Sequence, residues 1–293
     1  MRVALLHYTF DVAGGGERLV LGMARALREL GHEVDLYTTY VNEAAWPLIA
    51  GPGDPRPRLI RPGLRASLLM KLGQRALHRL TWPAAAASIA SRLRRLGSYD
   101  VYVDTQSNVP LLDASYIHYP ASLDYLAEMG VRVSAARRLY DRLVMTGTRM
   151  AASRPLLVLA NSAWTARKVL KAYGLEARVL YGPVDVERLL AVGDRKKNVV
   201  LTVSRFVPAK RLEAVVQVAS MVPEAEFYLV GSTGSNSGPV LERVRSLAEE
   251  LRARNLHVET DVPRRRLDEL YSAAKVYLHP PFPEHFGIAI AEG

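Results

Sequence analysis

Apolar positions along the chain follow two alternating rhythms. Arg2–Tyr8 contains the unbroken apolar run Val3-Ala4-Leu5-Leu6, the pattern of a strand buried on both faces. Leu19, Met23, Ala26, Leu27 and Leu30 then recur at helical spacing, and Glu33–Tyr37 alternates as a second strand after Gly31. Strand, turn, helix and strand within about thirty residues have the size of a βαβ crossover. Val101–Thr105, Ser115–Pro120 and Leu156–Ser162 read as further strands, and Asn161 or Ser162 is placed to cap a helix beginning near Trp164. Tyr181-Gly182-Pro183-Val184-Asp185 breaks the rhythm, and Ala191–Lys197 is polar. A new cycle opens with the strand Asn198–Val203, a helix carrying Leu212, Val215, Val216 and Ala219, and the strand Glu226–Val230. Pro239 begins a helix with Val240, Val244, Leu247 and Leu251, and Val258–Val262 and Lys275–His279 supply two more strands. The pattern predicts an α/β protein of two Rossmann-like, doubly wound parallel sheets: residues 1–182, a linker over 183–197, and residues 198–293. Ligands of such sheets bind at the carboxyl ends of the strands, so two sheets facing each other frame a cleft.

Composition narrows the class. With 293 residues and 49% hydrophobic content the chain can bury a large core, and with no Cys it can form neither disulfides nor thiolate metal sites. No apolar run reaches the length of a membrane span, and Met1 leads directly into a strand-like run rather than a signal peptide. The expected location is the cytoplasm, or the cytoplasmic face of a membrane as a peripheral protein.

The net charge of +10 is unevenly placed. No acid lies between Asp54 and Asp100, yet Arg56, Arg58, Arg61, Arg65, Lys71, Arg75, Arg79, Arg92, Arg94 and Arg95 do. Leu64, Leu68, Leu69, Leu72, Ala76, Leu77 and Leu80 add an apolar stripe near Trp82. This 55–99 segment has the character of an interfacial helix suited to an anionic membrane surface; the alternative is a surface helix packing its Leu face on the core. Arg132, Arg137, Arg138 and Arg142 form a second basic face.

Three stretches carry candidate chemistry. Asp11-Val12-Ala13-Gly14-Gly15-Gly16-Glu17 is a glycine-rich turn that lets backbone approach a ligand closely, although it lacks the Lys-Ser/Thr of a phosphate loop. His118 sits at a strand end, where it can reach a cleft. In Phe282-Pro283-Glu284-His285-Phe286-Gly287-Ile288-Ala289-Ile290-Ala291-Glu292, a loop turns into a helix near Gly287, and its first amides are available to an anion. Glu284 then lies in the loop and Glu292 about one turn inside the helix. Arg205 and Lys210 follow the strand Asn198–Val203 and can neutralise a diphosphate without metal. No Asp-x-Asp and no His/carboxylate cluster of metal-ligand spacing occurs.

Gly14-Gly15-Gly16-Glu17, Arg205 with Lys210, and Glu284-x7-Glu292 together resemble the retaining nucleotide-sugar glycosyltransferases of GT-B fold, glycosyltransferase family 4 with its group 1 partner domain. A narrower likeness, to the α-1,2-mannosyltransferases that extend dolichol-linked oligosaccharides, rests on Gly-Gly-Gly-Glu-Arg, Tyr116-Ile117-His118-Tyr119-Pro120, Asn161-Ser162-Ala163-Trp164-Thr165 and Glu284-His285-Phe286-Gly287-Ile288. The resemblance implies transfer of mannose from GDP-mannose, the donor substrate, to a lipid-linked glycan, with no further cofactor. It implies that Gly14, Gly15 and Gly16 approach the diphosphate and acceptor, that His118 touches the donor sugar, and that Arg205 and Lys210 hold the diphosphate. Glu284 would orient the donor sugar beside the amides of Phe286, Gly287 and Ile288, and Glu292 would bind the ribose. Members of the family continue past the second Glu, so a second domain truncated at its C-terminus is expected. A related transferase using a donor such as UDP-glucose is the alternative; a nucleic-acid-binding protein is a remote one, because no nucleic-acid motif appears and aromatics are not interleaved with the basic run.

Overall fold

The computed structural model describes residues 1–73, 77–121, 134–192, 196–234, 237–280 and 284–293. Arg75, Ala76, Arg132, Phe282 and Pro283, named above, lie outside the described residues. The chain divides into two compact units, one of Met1–Phe10, Leu19–Val41 and Gly51–Gly182, the other of Asp11–Arg18, Asn42–Ala50 and Pro183–Gly293.

In the first unit the strands are β1 (Arg2–Leu6), β2 (Thr9–Phe10), β3 (Glu33–Thr38), β4 (Tyr40–Val41), β5 (Arg58–Leu59), β6 (Val101–Asp104), β7 (Ala114–Ile117), β8 (Leu157–Ala160) and β9 (Arg178–Val179). Seven form one sheet in the order β5-β3-β1-β6-β7-β8-β9, every pair parallel; β2 and β4 pair separately. The unbroken apolar run of β1 is explained by its central place, with Val3 opposite Val34 on one side and Val101 on the other. The helices are α1 (Gly15–Glu29), whose first turn belongs to the second unit, α2 (Leu64–Leu72), α3 (His78–Leu96), α4 (Ala135–Ala151) and α5 (Ala163–Tyr173). Ser162 caps α5, its Oγ accepting the Thr165 N–H at 3.1 Å. A core of Leu6, Tyr8, Ile60, Ala86, Ile89, Leu93 and Leu112 lies between the sheet and α3.

The stripe expected as one helix is instead carried on two, α2 and α3. A Cβ on Gly73 would stand 2.2 Å from Thr81 Oγ1, so glycine permits the close approach between the two helices. Leu64, Leu68 and Leu72 of α2 face solvent at 89%, 55% and 56% exposure, and only Ala66 of that helix is buried. The Leu face therefore does not pack on the core. The basic segment is also less bare in space than in sequence. Arg79 pairs with Asp141 (2.6 Å), Arg94 with Asp113 (2.6 Å) and Arg58 with Asp35 (3.0 Å), acids supplied from elsewhere in the chain.

The second unit holds β10 (Lys197–Val203), β11 (Glu226–Gly231), β12 (Leu256–Thr260) and β13 (Ala274–Tyr277) in the parallel order β12-β11-β10-β13. Its helices are α6 (Val186–Val192), α7 (Glu213–Met221), α8 (Gly238–Glu250), α9 (Arg264–Ala273) and the five-residue α10 (Ile288–Glu292). Phe206, Val215, Val216, Phe227, Leu229 and Val244 fill one face of the sheet, and Leu201, Val230, Leu267, Leu270 and Tyr271 the other, so both faces are covered as a parallel sheet requires. The segment expected as a linker contains α6.

Candidate active site

In the second unit, Glu284 is the centre of a polar cluster. Lys210 Nζ lies 2.7 Å and His279 Nε2 2.9 Å from its Oε2, and the His285 N–H donates to Oε1 at 3.0 Å. Lys210 ends the short 3-10 turn Pro208–Lys210, and His279 lies just beyond β13, stacked on Tyr277. Burial by itself raises the Glu284 pKa, but the His279 hydrogen bond and the Lys210 charge outweigh it and hold the carboxyl well below the ordinary carboxylate range. Gly287 fixes the exit from this loop. Its φ of +74° is left-handed, and a Cβ there would meet Glu284 Cγ at 2.9 Å, so a larger residue would displace the carboxylate.

Glu292, the last residue of α10, has a side chain only 6% exposed and points into a cage of cations. Arg264 Nη2 donates to Oε1 at 2.7 Å and the Tyr271 hydroxyl to Oε2 at 3.0 Å, while Arg18 and Arg188 stand at 3.8 and 3.9 Å. Arg188 and Arg264 also share Asp268. Burial lowers the Arg18 pKa, with the Arg264 charge acting in the same direction and Glu292 opposing it.

The glycine turn becomes the start of α1, with Gly15 and Gly16 as its first two residues, so the amides of a fifteen-residue helix that lack an intrahelical partner begin there. The Glu17 carboxylate accepts from the N–H groups of Gly14 and Glu17. Glu17 folds back over Gly14, where a Cβ would lie 2.6 Å from its Oε2. Burial lifts the Glu17 pKa to about 7, against the pull of the backbone N–H groups of its own turn and the charge of Arg205, with Asp11 adding to the rise. Gly15 packs against Ile288, 3.1 Å from where its Cβ would stand. Arg205 is exposed on the loop after β10, and the turn before it rests so close on β11 that a Cβ at Gly231 would overlap Ser204 O. The second unit thus brings together Gly14, Gly15, Gly16, Arg205, Lys210, Glu284, Phe286, Gly287, Ile288 and Glu292, with two distinct polar centres around the two carboxylates.

His118 belongs to the first unit, one residue past β7. Its Nε2 bonds Thr105 O at 3.0 Å, its N–H donates to Asn108 Oδ1 at 2.7 Å, and its carbonyl accepts from Asn161 at 3.1 Å. Below it, His7 is fully buried with Nδ1 2.9 Å from Thr105 Oγ1; burial and the neighbouring His118 push its pKa down to about 3, so it is neutral.

Sequence reasoning missed His279, Arg18, Arg188, Arg264 and Tyr271. The triple Arg264-Arg265-Arg266 at the positive end of α9 was the available signal, since cations there oppose the helix dipole and need a local acid. Among the described residues no three His, Asp or Glu side chains converge as metal ligands would, and no helix is long and apolar enough to cross a membrane.

The glycosyltransferase family 4 profile matches residues 13–188, and the profile of glycosyl transferases group 1 matches residues 191–293. Among curated proteins, the GDP-Man:Man(3)GlcNAc(2)-PP-Dol alpha-1,2-mannosyltransferase of Dictyostelium discoideum is 26% identical, the match covering 61% of this chain and 43% of that protein. The Homo sapiens protein of the same name is 25% identical over 100% of this chain and 70% of its own length. Among solved structures, Anabaena HepE in complex with UDP and glucose aligns with a TM-score of 0.64 at 18% identity, covering 100% of this chain and 77% of that one. With two parallel-sheet units of Rossmann type and a family profile spanning most of the chain, this protein belongs to glycosyltransferase family 4, the glycosyltransferases of GT-B fold.

Proposed function

We propose that this chain is a retaining, metal-independent hexosyltransferase that moves mannose from GDP-mannose to a lipid-linked glycan. The observation that carries the reading is the convergence of Lys210 and His279 on Glu284, with the His285 N–H on its other oxygen. An ionised, immobilised carboxylate is suited to accept hydrogen bonds from sugar hydroxyls. In this reading Glu284 orients the donor sugar, with the amides of Phe286, Gly287 and Ile288 beside it. Arg205, Lys210, Gly14 and the first turn of α1 at Gly15 and Gly16 take up the diphosphate charge. The acceptor oxygen bonds to the sugar's anomeric carbon as the bond from that carbon to the phosphate oxygen breaks; the electron pair stays on the phosphate, which takes the acceptor's proton. Glu292 binds the ribose with the acceptor capacity that Arg264 and Tyr271 leave to it, since a carboxylate accepts about four hydrogen bonds.

The membrane partner in this reading is an anionic surface met by α2, whose exposed Leu64, Leu68 and Leu72 are accompanied by Arg65 and Lys71. Docking there places the protein on the membrane's cytoplasmic face. The relatives' names support the GDP-mannose donor and lipid-linked acceptor. The Anabaena complex with UDP and glucose supports a second reading, a UDP-glucose donor. Saturation-transfer NMR with GDP-mannose and UDP-glucose, followed by turnover with the bound donor, tests both. Binding of neither would overturn the reading.

A further inference from the structure

Three rings stand in file between the two carboxylates of the second unit. Tyr271 of α9 stacks on Tyr277 at 6.3 Å and 17°, and Tyr277 stacks on His279 at 6.3 Å and 13°. Each end of the file donates to a different glutamate: the Tyr271 hydroxyl to Glu292 Oε2 at 3.0 Å, and His279 Nε2 to Glu284 Oε2 at 2.9 Å. We propose that this stack positions both carboxylates together, with Tyr277, its middle ring, as a positioning residue for the transfer; the kinetic part rests on the function proposed above.

The middle ring is built into the sheet. Tyr277 ends β13 opposite Leu201 of β10, and its hydroxyl donates to Val203 O at 3.1 Å rather than to either glutamate. The next residue is clamped from both sides, the Leu278 N–H donating to Leu201 O at 2.8 Å and Leu278 O accepting from Thr202 Oγ1 at 2.7 Å. Residues two apart in an extended chain share a side, so this backbone sets His279 beside Tyr277. Tyr271 is buried with Leu201, Val230 and Leu267 in the core on one face of the same sheet. Its hydroxyl is shared with Ala289 O at 3.3 Å, so it holds the short α10 as well as that helix's carboxylate. Burial raises the Tyr277 pKa, and the charges of Glu292 and Glu284 both add to the rise, as expected of a ring between them.

His279 shows why the stacking matters. The ionised Glu284 only accepts, so His279 Nε2 carries the proton. Its other nitrogen, Nδ1, is buried and bonds no described residue. A working histidine is ordinarily oriented by a bond on its second nitrogen. Here no such bond turns the ring, and the face of Tyr277 takes that role. Lys210 and Arg264 meet the same two carboxylates on long side chains and supply opposing charge. The rings supply a fixed direction.

The test is steady-state kinetics of the full chain carrying Tyr277→Leu or Tyr277→Phe. Leucine removes both stacking faces, so kcat should fall through Glu284 and the donor KM should rise through Glu292, each by roughly tenfold, the scale of one aromatic contact. Phenylalanine keeps the ring and should restore both constants. A lower Tm with both constants unchanged, or a change in one of them alone, would overturn the coupling. If Tyr277→Leu does not fold, His279→Phe and His279→Ala decide. Both lose the bond to Glu284 and lower kcat, but alanine also breaks the stack, so alanine alone should raise the donor KM; equal donor KM values would overturn the proposal. A chain that transfers no sugar from any donor is read instead by carbon-13 NMR of the Glu284 carboxyl. Its titration should move to higher pH in Tyr277→Leu, where the His279 bond that lowers it is loosened, and return in Tyr277→Phe. That result would uphold the stack and sink the proposed activity; an unmoved titration would overturn the stack itself.

Discussion

Lys210 Nζ lies 2.7 Å from Glu284 Oε2, joining two residues that are 74 positions apart in sequence. The pair gives Lys210 a role beyond counter-charge for a diphosphate: it keeps Glu284 ionised and directs it. Glu284→Gln keeps the shape but loses the charge that Lys210 and His279 bind. The expected result is a kcat lower by about a hundredfold or more, the scale for removing one preorganised polar group, with the donor KM little changed. Steady-state kinetics decide this, and an unaltered kcat would remove Glu284 from the reacting sugar.

Glu292 responds differently. Its carboxylate offsets Arg264, with Arg18 and Arg188 close by, so Glu292→Gln removes one of the carboxylates that face these partly buried cations and leaves Asp268 to offset Arg188 and Arg264. The expectation is a raised donor KM accompanied by a lower Tm, with kcat nearly preserved. Identical kinetic signatures for the Glu284 and Glu292 variants would show that one of the two has been given the wrong ligand.

Turnover in EDTA tests the source of the diphosphate's counter-charge. Where Arg205 and Lys210 supply it, activity survives the chelator, and Arg205→Ala costs roughly 2–4 kcal/mol of transition-state stabilisation. Complete loss in EDTA, with recovery on adding magnesium or manganese, would assign that charge to a metal.

Glu17 makes stability depend on pH. Burial raises its pKa from 4.5 to about 7, so between those values the folded chain holds a proton that the unfolded chain has released. Its contribution is present below about pH 4.5 and is lost as pH rises to about 7. Glu17→Gln keeps an acceptor for the α1 amides and cannot ionise, so it should raise the Tm at pH 8 relative to wild type and change it little at pH 4.5. Parallel Tm–pH curves for the two proteins would contradict a buried, titrating Glu17.

Membrane docking is read by vesicle co-sedimentation. Arg79 is excluded from the docking set because Asp141 holds it; the set is Arg65 and Lys71 with Leu64, Leu68 and Leu72. Each cation near an anionic surface contributes about 1 kcal/mol. Changing both cations to Gln and the three leucines to Ser should abolish sedimentation with anionic vesicles, while turnover of a water-soluble acceptor persists. If the five-fold variant sediments like wild type, the docking face lies elsewhere, with Arg138, Leu139, Arg142 and Leu143 of α4 next in line.

The sequence by itself determined the longer strands of both sheets and the first covering helices, because burial on both faces of a parallel strand demands an unbroken apolar run and a covering helix demands apolar residues at helical spacing; α6, α9 and the short strands β5 and β9 were not legible. Val3–Leu6 and the Leu19-to-Leu30 series carry that information locally. It also located Gly287, since few residues other than glycine tolerate a φ of +74° at a helix start. Helix spacing sets local ion pairs such as Arg264–Asp268, but which distant charges meet follows from the tertiary structure. Asp141 reaches Arg79 across 62 positions and Arg264 reaches Glu292 across 28, because these pairings follow from strand order and helix placement rather than from spacing along the chain. The Leu64-Leu68-Leu72 stripe shows the same division. Its period is legible in the sequence, but whether it faces core or solvent depends on α3, which packs against α2 through Ala66 and leaves the leucines in water.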